Sequence, residues 1–267
     1  MAEIFGLDAY SPKEIAARVS EVGVGKARLP LLTQALLGVL AGAFIGLGAL
    51  GYTLVASDAS LGFAASRLLG GLVFSLGLIL VTVAGAELFT GNNLLAMAWA
   101  SGRISTRELL RNWLVVCAAN AVGALGLAML VWLSGHGGLN HGAVGQTVVR
   151  IASAKAELGW VESFFRGLLC NVLVCMAVWM ALAGRSVSDK VLAIVFPITL
   201  FVAAGFEHSI ANLYFFPLAV ALGAPLGLAE VLRNLLAVIA GNLVGGSVLV
   251  ALVYWVVYLR PAGKSPG

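Results

Sequence analysis

The sequence predicts an all-α integral membrane protein with six transmembrane helices, arranged as two inverted three-helix repeats in which the second and fifth helices are broken. The first reason is composition: 61% of the 267 residues are hydrophobic and 10% are charged, whereas soluble domains carry about 25% charged residues. The second is a motif that occurs twice, as AGAELFTGN (84–92) and AGFEHSIAN (204–212). The third is the pattern R-N-x-L-x-V-x-A-x-N-x-V-G, which occurs at 111–123 and again at 233–245.

Charge and cysteine content exclude several classes of function. The net charge of +4 is distributed among the loops, where it sets membrane orientation, so it does not indicate nucleic-acid binding. The three cysteines lie within apolar segments and are spaced neither as a disulfide framework nor as metal ligands. We therefore expect membrane lipid as the surroundings, and no cofactor, metal ion or nucleic-acid partner.

Residues 1–29 are predicted to form a cytoplasmic domain that consists of one amphipathic helix. Ser11 followed by Pro12 is typical of a helix start, with a capping residue before a proline at the first helical position. The positions predicted to form its apolar face are Ile15, Ala16, Val19 and Val22. Such a helix lies along a membrane surface; a solvated helical tail is the alternative.

Residues 30–260 form the predicted transmembrane domain, with repeats at about 30–135 and 160–260, and residues 261–267 a cytoplasmic tail. The apolar spans are 31–56, 67–86 running on to 100, 110–133, 163–183, 190–208 running on to 222, and 231–258. The four uninterrupted spans are long enough to cross about 30 Å of hydrocarbon. The two spans that carry the repeated motif are longer, and Gly, Glu and Asn interrupt each of them midway.

The distribution of basic residues predicts the orientation of these spans. If the N-terminus is cytoplasmic, eleven lysines and arginines fall in cytoplasmic segments and five on the other side. This bias favours a multi-pass protein of the cell (inner or plasma) membrane with both termini in the cytoplasm. Because each repeat has an odd number of crossings, the second repeat is inserted upside down, which is an arrangement typical of transporters and channels.

The second motif places polar side chains at the depth of the membrane interior. These are Glu207, His208, Ser209 and Asn212. An ionisable residue there costs about 2.5–3.5 kcal/mol on insertion scales, so it marks a functional site. A broken helix also exposes backbone N–H groups where its second half begins, here at 90–92 and 209–212, and such ends bind small anions. The pattern favours a small anion or a small neutral polar solute as the ligand.

His208 is the group of the membrane interior that titrates near neutral pH. Burial favours its neutral form, and an approaching anion favours its protonated form. It could thus donate a hydrogen bond or a proton to a weak-acid anion, while a structural histidine bonded to a backbone carbonyl is the alternative. Lys155, between the third and fourth spans, would concentrate anions near a pore mouth, or is an ordinary surface lysine.

Two pairs of polar residues occupy matching positions in the repeats. We expect Glu87 and Glu207 to accept hydrogen bonds from amides that lose their helical partners, rather than to contact an anion. We expect Asn120 and Asn242 to bond the broken segments across helix interfaces, with pore lining as the alternative.

Apolar residues near the breaks are candidates for constrictions that exclude water. They are Phe74, Leu78, Leu88, Phe89, Val174 and Phe201. Ordinary helix packing is the alternative, because periodicity does not separate the two.

GAELFTGN together with GFEHSIAN resembles the signature pair of the formate/nitrite transporter family. The resemblance extends to SLGLIL, to LLCNVLVCMAVWMALAGRS in the fourth span, and to GNLVGG and YWVVYLR in the last. It implies a homopentamer of aquaporin-like protomers, each with its own pore, in which residues of about 87–93 form a mobile loop.

The resemblance also implies roles for individual residues. The residues that it places along the pathway are His208, Thr90, Lys155, Asn212 and Glu207. Independently of the resemblance, the internal repeat predicts that Glu87, Asn92, Asn120 and Asn242 support the broken helices. One constriction corresponds to Phe74, Phe201 and Val174, and the other to Leu78, Leu88 and Phe89.

The activity implied by the resemblance is passive passage of small monovalent anions, most like the formate branch. Because a dry apolar constriction is very costly for a bare carboxylate, we expect the anion to take a proton, directly or through His208, and to cross as the acid. The alternative keeps it an anion throughout, stabilised by Thr90 and backbone N–H groups. Alternatives within the family are a nitrite or a hydrosulfide channel. An aquaporin-like pore for neutral solutes is a third alternative. A membrane-embedded enzyme would need Glu207 and His208 as an acid–base pair, but the sequence offers no nucleophile beyond Ser209 and no cofactor motif.

Overall fold

A computed structural model of the protein describes residues 9–260, so the predicted tail 261–267 and residues 1–8 of the predicted N-terminal domain lie outside the described residues. Residues 9–260 are helical with connecting loops and contain no β-strand. Their helices are α1 (Pro12–Ala27), α2 (Leu31–Ala56), α3 (Phe63–Gly85), α4 (89–100), α5 (Thr106–Leu133), α6 (Ala143–Glu157), α7 (Trp160–Ala181), α8 (Val187–Ala203), α9 (Ser209–Ala221) and α10 (Leu228–Tyr258).

Five of the described helices are long and apolar enough to cross a membrane, namely α2, α3, α5, α7 and α10. Their most apolar windows have mean hydropathies between 1.8 and 2.3, and between 39% and 50% of each window is buried. The remaining apolar surface faces outward, as lipid-contacting surface does. The protein is therefore a multi-pass membrane protein. Helix α9 is apolar but shorter.

The helical path is interrupted at both copies of the repeated motif. Residues 86–88 separate α3 from α4, and residues 204–208 separate α8 from α9. Gly85 and Gly205 stand at these points with φ of +84° and +74°. This left-handed conformation favours glycine, because a Cβ would clash with the backbone there.

Helix α1 begins as its sequence predicts, with Ser11 as the N-cap and Pro12 at the first helical position. The Glu14 N–H donates to Ser11 Oγ at 3.4 Å and the Ser11 N–H donates to Glu14 Oε2 at 2.8 Å, which forms a reciprocal capping box. Three of the four predicted apolar-face positions are buried, but Val22 is 41% exposed. The buried face packs against α4 and the end of α10, so the protein itself covers it.

Glycines bring pairs of long helices into backbone contact. A Cβ added to Gly42 of α2 would lie 2.0 Å from the carbonyl oxygen of Asn120, and one added to Gly123 of α5 would lie 1.9 Å from that of Val39. Helices α7 and α10 cross in the same way, since a Cβ on Gly241 would lie 2.1 Å from a carbonyl oxygen of α7. Small residues at such crossings are what lets membrane helices approach closely.

Gly123→Ala is expected to lower the thermal unfolding midpoint in detergent, because the new methyl group forces α2 and α5 apart. Overpacking of this kind costs about 1–3 kcal/mol. Gly126→Ala on the same helix is the control, since a Cβ there meets no atom within 4 Å and alanine favours helix by about 1 kcal/mol. Equal midpoints for the two variants would contradict the backbone contact.

Candidate functional site

Thr90 and His208, one from each copy of the repeated motif (84–92 and 204–212, hereafter the interrupted segments), are in contact in the protein interior. The Thr90 hydroxyl lies 3.1 Å from His208 Nε2, and both side chains are buried. His208 also caps α9, where its Nδ1 accepts a hydrogen bond from the Ala211 N–H at 3.2 Å. Because Nδ1 accepts, the hydrogen of the neutral ring is on Nε2 and is donated to the Thr90 oxygen. The Thr90 O–H then remains available as a donor to a bound anion.

On one side of this pair, Glu207 is buried between two donors. Its Oε1 accepts from Lys155 Nζ at 2.8 Å, and its Oε2 accepts from Asn212 Nδ2 at 2.7 Å. The side chains of Lys155 and Glu207 are 15% and 4% exposed. Desolvation of a carboxylate is costly, and such donors offset that cost. Lys155 is thus a paired charge rather than an ordinary surface lysine.

Glu87 is held in the same way in the other segment. Its Oε1 accepts from Lys26 Nζ at 2.7 Å, and its Oε2 accepts from Asn92 Nδ2 at 2.7 Å. Lys26 lies on α1 and Lys155 on α6, so a lysine from a short helix neutralises each motif glutamate. The lysine at α1 is the more accessible of the two, with 28% of its side chain exposed.

A further asparagine completes each network. Asn112 Oδ1 accepts from Asn92 Nδ2 at 3.0 Å, and Asn112 Nδ2 donates to the Lys26 carbonyl oxygen at 3.2 Å. Asn234 makes the two matching bonds in the other half, both at 2.8 Å. Each lysine is therefore held at its backbone as well as at its ammonium group.

Asn120 and Asn242 bond the interrupted backbone. The Phe89 N–H donates to Asn120 Oδ1 at 2.9 Å, and the Ser209 N–H donates to Asn242 Oδ1 at 3.0 Å. The amide nitrogens of both asparagines donate in turn to the carbonyl oxygens of the motif glutamates. The expectation that the glutamates accept from the orphaned amides is wrong in this detail, because lysine and asparagine side chains occupy the carboxylates and the asparagine oxygens cap the amides.

Asn171, midway along α7, connects the start of α4 to α10. Its Nδ2 lies within hydrogen-bond distance of the Thr90 carbonyl oxygen (3.3 Å), Asn93 Oδ1 (2.7 Å) and the Asn242 carbonyl oxygen (2.6 Å). The residue was not singled out from the sequence. The available signal was an amide side chain in the middle of an apolar span, where a polar group needs a partner.

His208 lines a cavity of about 490 Å³ together with Lys155, Glu207, Phe74 and Phe201. The rings of Phe74 and Phe201 pack edge to face with their centroids 5.5 Å apart. The Phe201 ring also stacks on His208 at 5.9 Å. The histidine is therefore reached from the polar part of the cavity but is bounded by aromatic carbon.

A second cavity, of about 330 Å³, lies beside the other interrupted segment. Its walls include Lys26, Glu87, Leu78, Leu88 and Gly91. Along α3, Phe74 is the last residue that lines the larger cavity, and Leu78 is the first that lines the smaller one. These two residues are four positions apart, which is about 6 Å along a helix. His208 lines the first cavity, and Leu88 and Gly91, which flank Thr90, line the second, so the Thr90–His208 contact lies between the two.

All six apolar residues proposed for constrictions are buried. The larger cavity is lined by Phe74 and Phe201, and the smaller by Leu78 and Leu88. Phe89 and Val174 line neither of these two cavities. The structure thus brings four of the six to the cavity walls.

Lys26, Asn112 and Asn234 were also not predicted from the sequence as site residues. The two asparagines occupy the second position of the repeated R-N pattern, so the repeat itself was the signal for them. Lys26 belongs to no motif, and its partner Glu87 lies 61 residues away in the chain.

The polar side chains of the site do not form a metal centre. Within residues 9–260, no group of three or more His, Cys, Asp or Glu side chains is placed to hold a metal ion. The three cysteines are unpaired thiols. Hydrogen-bond donors and charged side chains, some of them in ion pairs, line the two cavities.

Comparison with known proteins gives concordant matches over most of the chain. The family model described as formate/nitrite transporter matches residues 13–256. The formate channel FocA of Escherichia coli (strain K12) is 39% identical over 273 residues, which cover 95% of this chain and 96% of that protein. A solved pentameric formate channel with formate bound superposes with a TM-score of 0.80 and 37% identity, over 86% of this chain and 98% of that one. An FNT family ion channel superposes with a TM-score of 0.83 and 32% identity, over 91% and 98%.

Removal of Lys155 alone is expected to destabilise the protein more than removal of both charges of its pair. Lys155→Met leaves Glu207 buried without its cation, and breaking a buried pair in this way costs about 3–5 kcal/mol. Adding Glu207→Gln removes the unpaired buried charge, so the free energy of unfolding of the double variant should exceed that of Lys155→Met by at least about 1 kcal/mol. The measurement is the unfolding midpoint in detergent for both single variants and the double variant.

The control cycle uses Arg28 and Glu108, an ion pair whose side chains are 59% and 32% exposed. It should show no measurable coupling, because water screens exposed pairs. Strictly additive losses at Lys155 and Glu207 would show that the buried pair is not coupled.

Proposed function

Because the chain belongs to the formate/nitrite transporter family, we propose that it is a passive channel for small monovalent anions, with formate as its main substrate. The family consists of transport proteins, so a membrane-embedded enzyme is no longer an alternative. The observation that carries the proposal is the buried Thr90–His208 pair, which lies between the two cavities. It offers an O–H donor to a small anion in an otherwise apolar interior.

We propose formate rather than another anion as the main substrate because of the proteins that this chain resembles. The Escherichia coli relative is described as a formate channel, and the solved pentamer has formate bound. Nitrite and hydrosulfide are the alternatives within the family, and a neutral solute is the alternative outside it.

We also propose a homopentamer in the cell membrane, with one pore in each protomer and both termini cytoplasmic. The similar solved channel is described as pentameric, and the long helices of this chain keep much of their apolar surface exposed. The excess of basic residues in the segments assigned to the cytoplasm supports the orientation.

Within each protomer we propose six crossings in two inverted, aquaporin-like repeats, at about 30–135 and 160–260, in which α3–α4 and α8–α9 are the broken helices. The same sequence of hydrogen bonds around each break supports this symmetry. Helices α1 and α6 precede the two repeats and supply Lys26 and Lys155 from equivalent places. The proposed domain limits remain 1–29, 30–260 and 261–267.

The proposed path runs from the larger cavity past the aromatic wall to the smaller one. Lys155 meets the anion with N–H donors, while Glu207 balances its charge. Beyond it, Phe74 and Phe201 leave little polar surface. An isolated carboxylate is very costly to move into such surroundings, and the neutral acid far less so. We therefore propose that formate passes this point as formic acid.

Protonation of His208 is incompatible with the hydrogen bond by which its Nδ1 caps α9. A proton added at Nδ1 would face the Ala211 N–H, so that two donors would point at each other. Protonation of the ring is thus coupled to loss of the N-cap of α9. The competing mechanism keeps the anion charged and stabilises it by hydrogen bonds from the Thr90 hydroxyl and backbone N–H groups.

Formate uptake into proteoliposomes is expected to saturate and to acidify the lumen, because each formate enters together with a proton. His208→Asn is expected to remove the pH dependence of uptake. Asparagine is chosen because its side-chain oxygen caps helices well, so α9 keeps its N-cap. The measurement records labelled formate and an internal pH indicator for both proteins.

Other results would favour the alternatives. Formate movement that carries current without acidifying the lumen in either protein would show anion conduction. Passage of nitrite or hydrosulfide but not formate would overturn the substrate. Osmotic swelling without anion dependence would indicate a neutral-solute pore.

Thr90→Val is expected to lower the initial rate of formate uptake about ten-fold, because it deletes the hydroxyl and keeps the shape of the side chain. A net hydrogen bond to a neutral group such as formic acid is worth about 0.5–1.5 kcal/mol, and the upper end of this range corresponds to about ten-fold. Thr90→Ser keeps the O–H and should transport at nearly the wild-type rate. A valine variant as fast as wild type would exclude Thr90 as a donor.

A further inference from the structure

The two cavities differ in charge. The larger cavity is lined by six charged residues, namely Arg67, Arg150, Lys155, Arg166, Asp58 and Glu207. The charged residues of the smaller cavity are Lys26 and Glu87, which form an ion pair. Four cations thus face two carboxylates in the larger cavity, whereas the charges of the smaller one balance.

Two of the four cations are already paired. Lys155 binds Glu207. Arg166 binds Glu162, one turn earlier on α7, which does not line the cavity. When Glu162 is counted, these two ion pairs add no net charge to the cavity.

Arg67 and Arg150 carry the surplus positive charge. Within residues 9–260, neither guanidinium has a carboxylate oxygen within 4 Å. Arg150 donates to the Ala56 carbonyl oxygen at 3.3 Å, and the Arg67 guanidinium lies 5.5 Å from the Phe63 ring centre. Even with Asp58 counted against them, the cavity keeps a net positive charge.

Arg67 and Arg166 converge on Gly205, the residue at which the second interruption turns. A Cβ on Gly205 would lie 3.7 Å from Arg67 Nη1 and 3.9 Å from Arg166 Nη1. The two nitrogens are therefore at most 7.6 Å apart, the sum of these distances. Arg166 Nη1 also donates to the Gly205 carbonyl oxygen at 3.3 Å. Because hydrogen bonds from guanidinium to carboxylate are about 2.7–2.9 Å long, one carboxylate can bridge two guanidinium nitrogens that are no more than 7.6 Å apart.

We propose that Arg67 and Arg166, beside Gly205, form a capture site for a small carboxylate at the mouth of the larger cavity, and that Arg150 adds to its positive potential. This deepens the proposed function and rests on it. The site holds the anion before it reaches Lys155, and the smaller cavity has no counterpart. In passive transport the ratio of the maximal rate to the half-saturation concentration is the same in both directions. Capture at one face therefore lowers both the maximal rate and the half-saturation concentration for entry from that face, compared with entry from the other face.

The electrostatic potential in each cavity can be measured without a transport assay. Ala154 lines the larger cavity and Val22 the smaller, and both are exposed. Each is replaced by cysteine, and the reaction rates of a sulfonate and of a trimethylammonium methanethiosulfonate reagent are compared. The wild type, with Cys170 and Cys175 buried and Cys117 partly buried, is the blank.

The ratio of sulfonate to ammonium rates should be at least about three-fold higher for Ala154→Cys than for Val22→Cys. Arg67→Gln should remove most of this difference, Arg67→Lys should keep it, and about 0.5 M salt should screen it. Arg107→Gln is the matched control, since Arg107 is an exposed arginine that does not line the cavity. Formate should slow the sulfonate reaction at position 154, and Arg67→Gln should abolish this protection.

Equal ratios at positions 154 and 22 would overturn the capture site, and so would a ratio at position 154 that Arg67→Gln leaves unchanged. A ratio that depends on Arg67 without protection by formate would reject a carboxylate as the ligand. These outcomes are separate from the uptake assay. A wild type that transports no formate but shows both the ratio and the protection would refute the proposed substrate and keep the capture site.

Discussion

In an apolar interior, a backbone N–H or C=O group that leaves a helix must find its partner within the protein. Residues 86–88 and 204–208 create that demand, and Asn120 and Asn242 meet it, each bonding an amide and two carbonyl oxygens. An asparagine reaches across only where two helices nearly touch. The close contacts at glycines between α2 and α5 and between α7 and α10 therefore allow the helices to be interrupted. The interruptions in turn bring Thr90 and His208 together.

The two interrupted segments share their supporting residues but differ where they meet. At an offset of 120 residues, the glutamates and asparagines of the motifs coincide, whereas His208 corresponds to Leu88 and Thr90 to Ile210. The side chains that depart from the repeat form the one polar contact between the segments. Symmetry thus accounts for the scaffold, and the departure from it accounts for the donor pair that we propose for the anion.

Charge pairing makes the buried glutamates compatible with an anion pathway. An unpaired carboxylate beside the path would repel a permeating anion and would itself be costly to bury. Lys26 and Lys155 remove both problems while keeping N–H donors near the cavities. Because each pair is nearly neutral, the potential of each cavity is set by the other charges around it, and those are the arginines of the larger cavity.

Composition and the two repeated patterns by themselves determined that the chain is an all-α membrane protein and where its helices are interrupted, and they singled out His208 and the two motif glutamates as candidate site residues. These features are local, since hydropathy and motif spacing describe neighbours along the chain. The partners of the glutamates lie 61 and 52 residues away, on helices whose approach depends on packing. Only the tertiary structure could decide the lysine pairs, the junction at Asn171, the protonated nitrogen of His208 and the charge difference between the cavities, because each depends on which faces of distant helices meet.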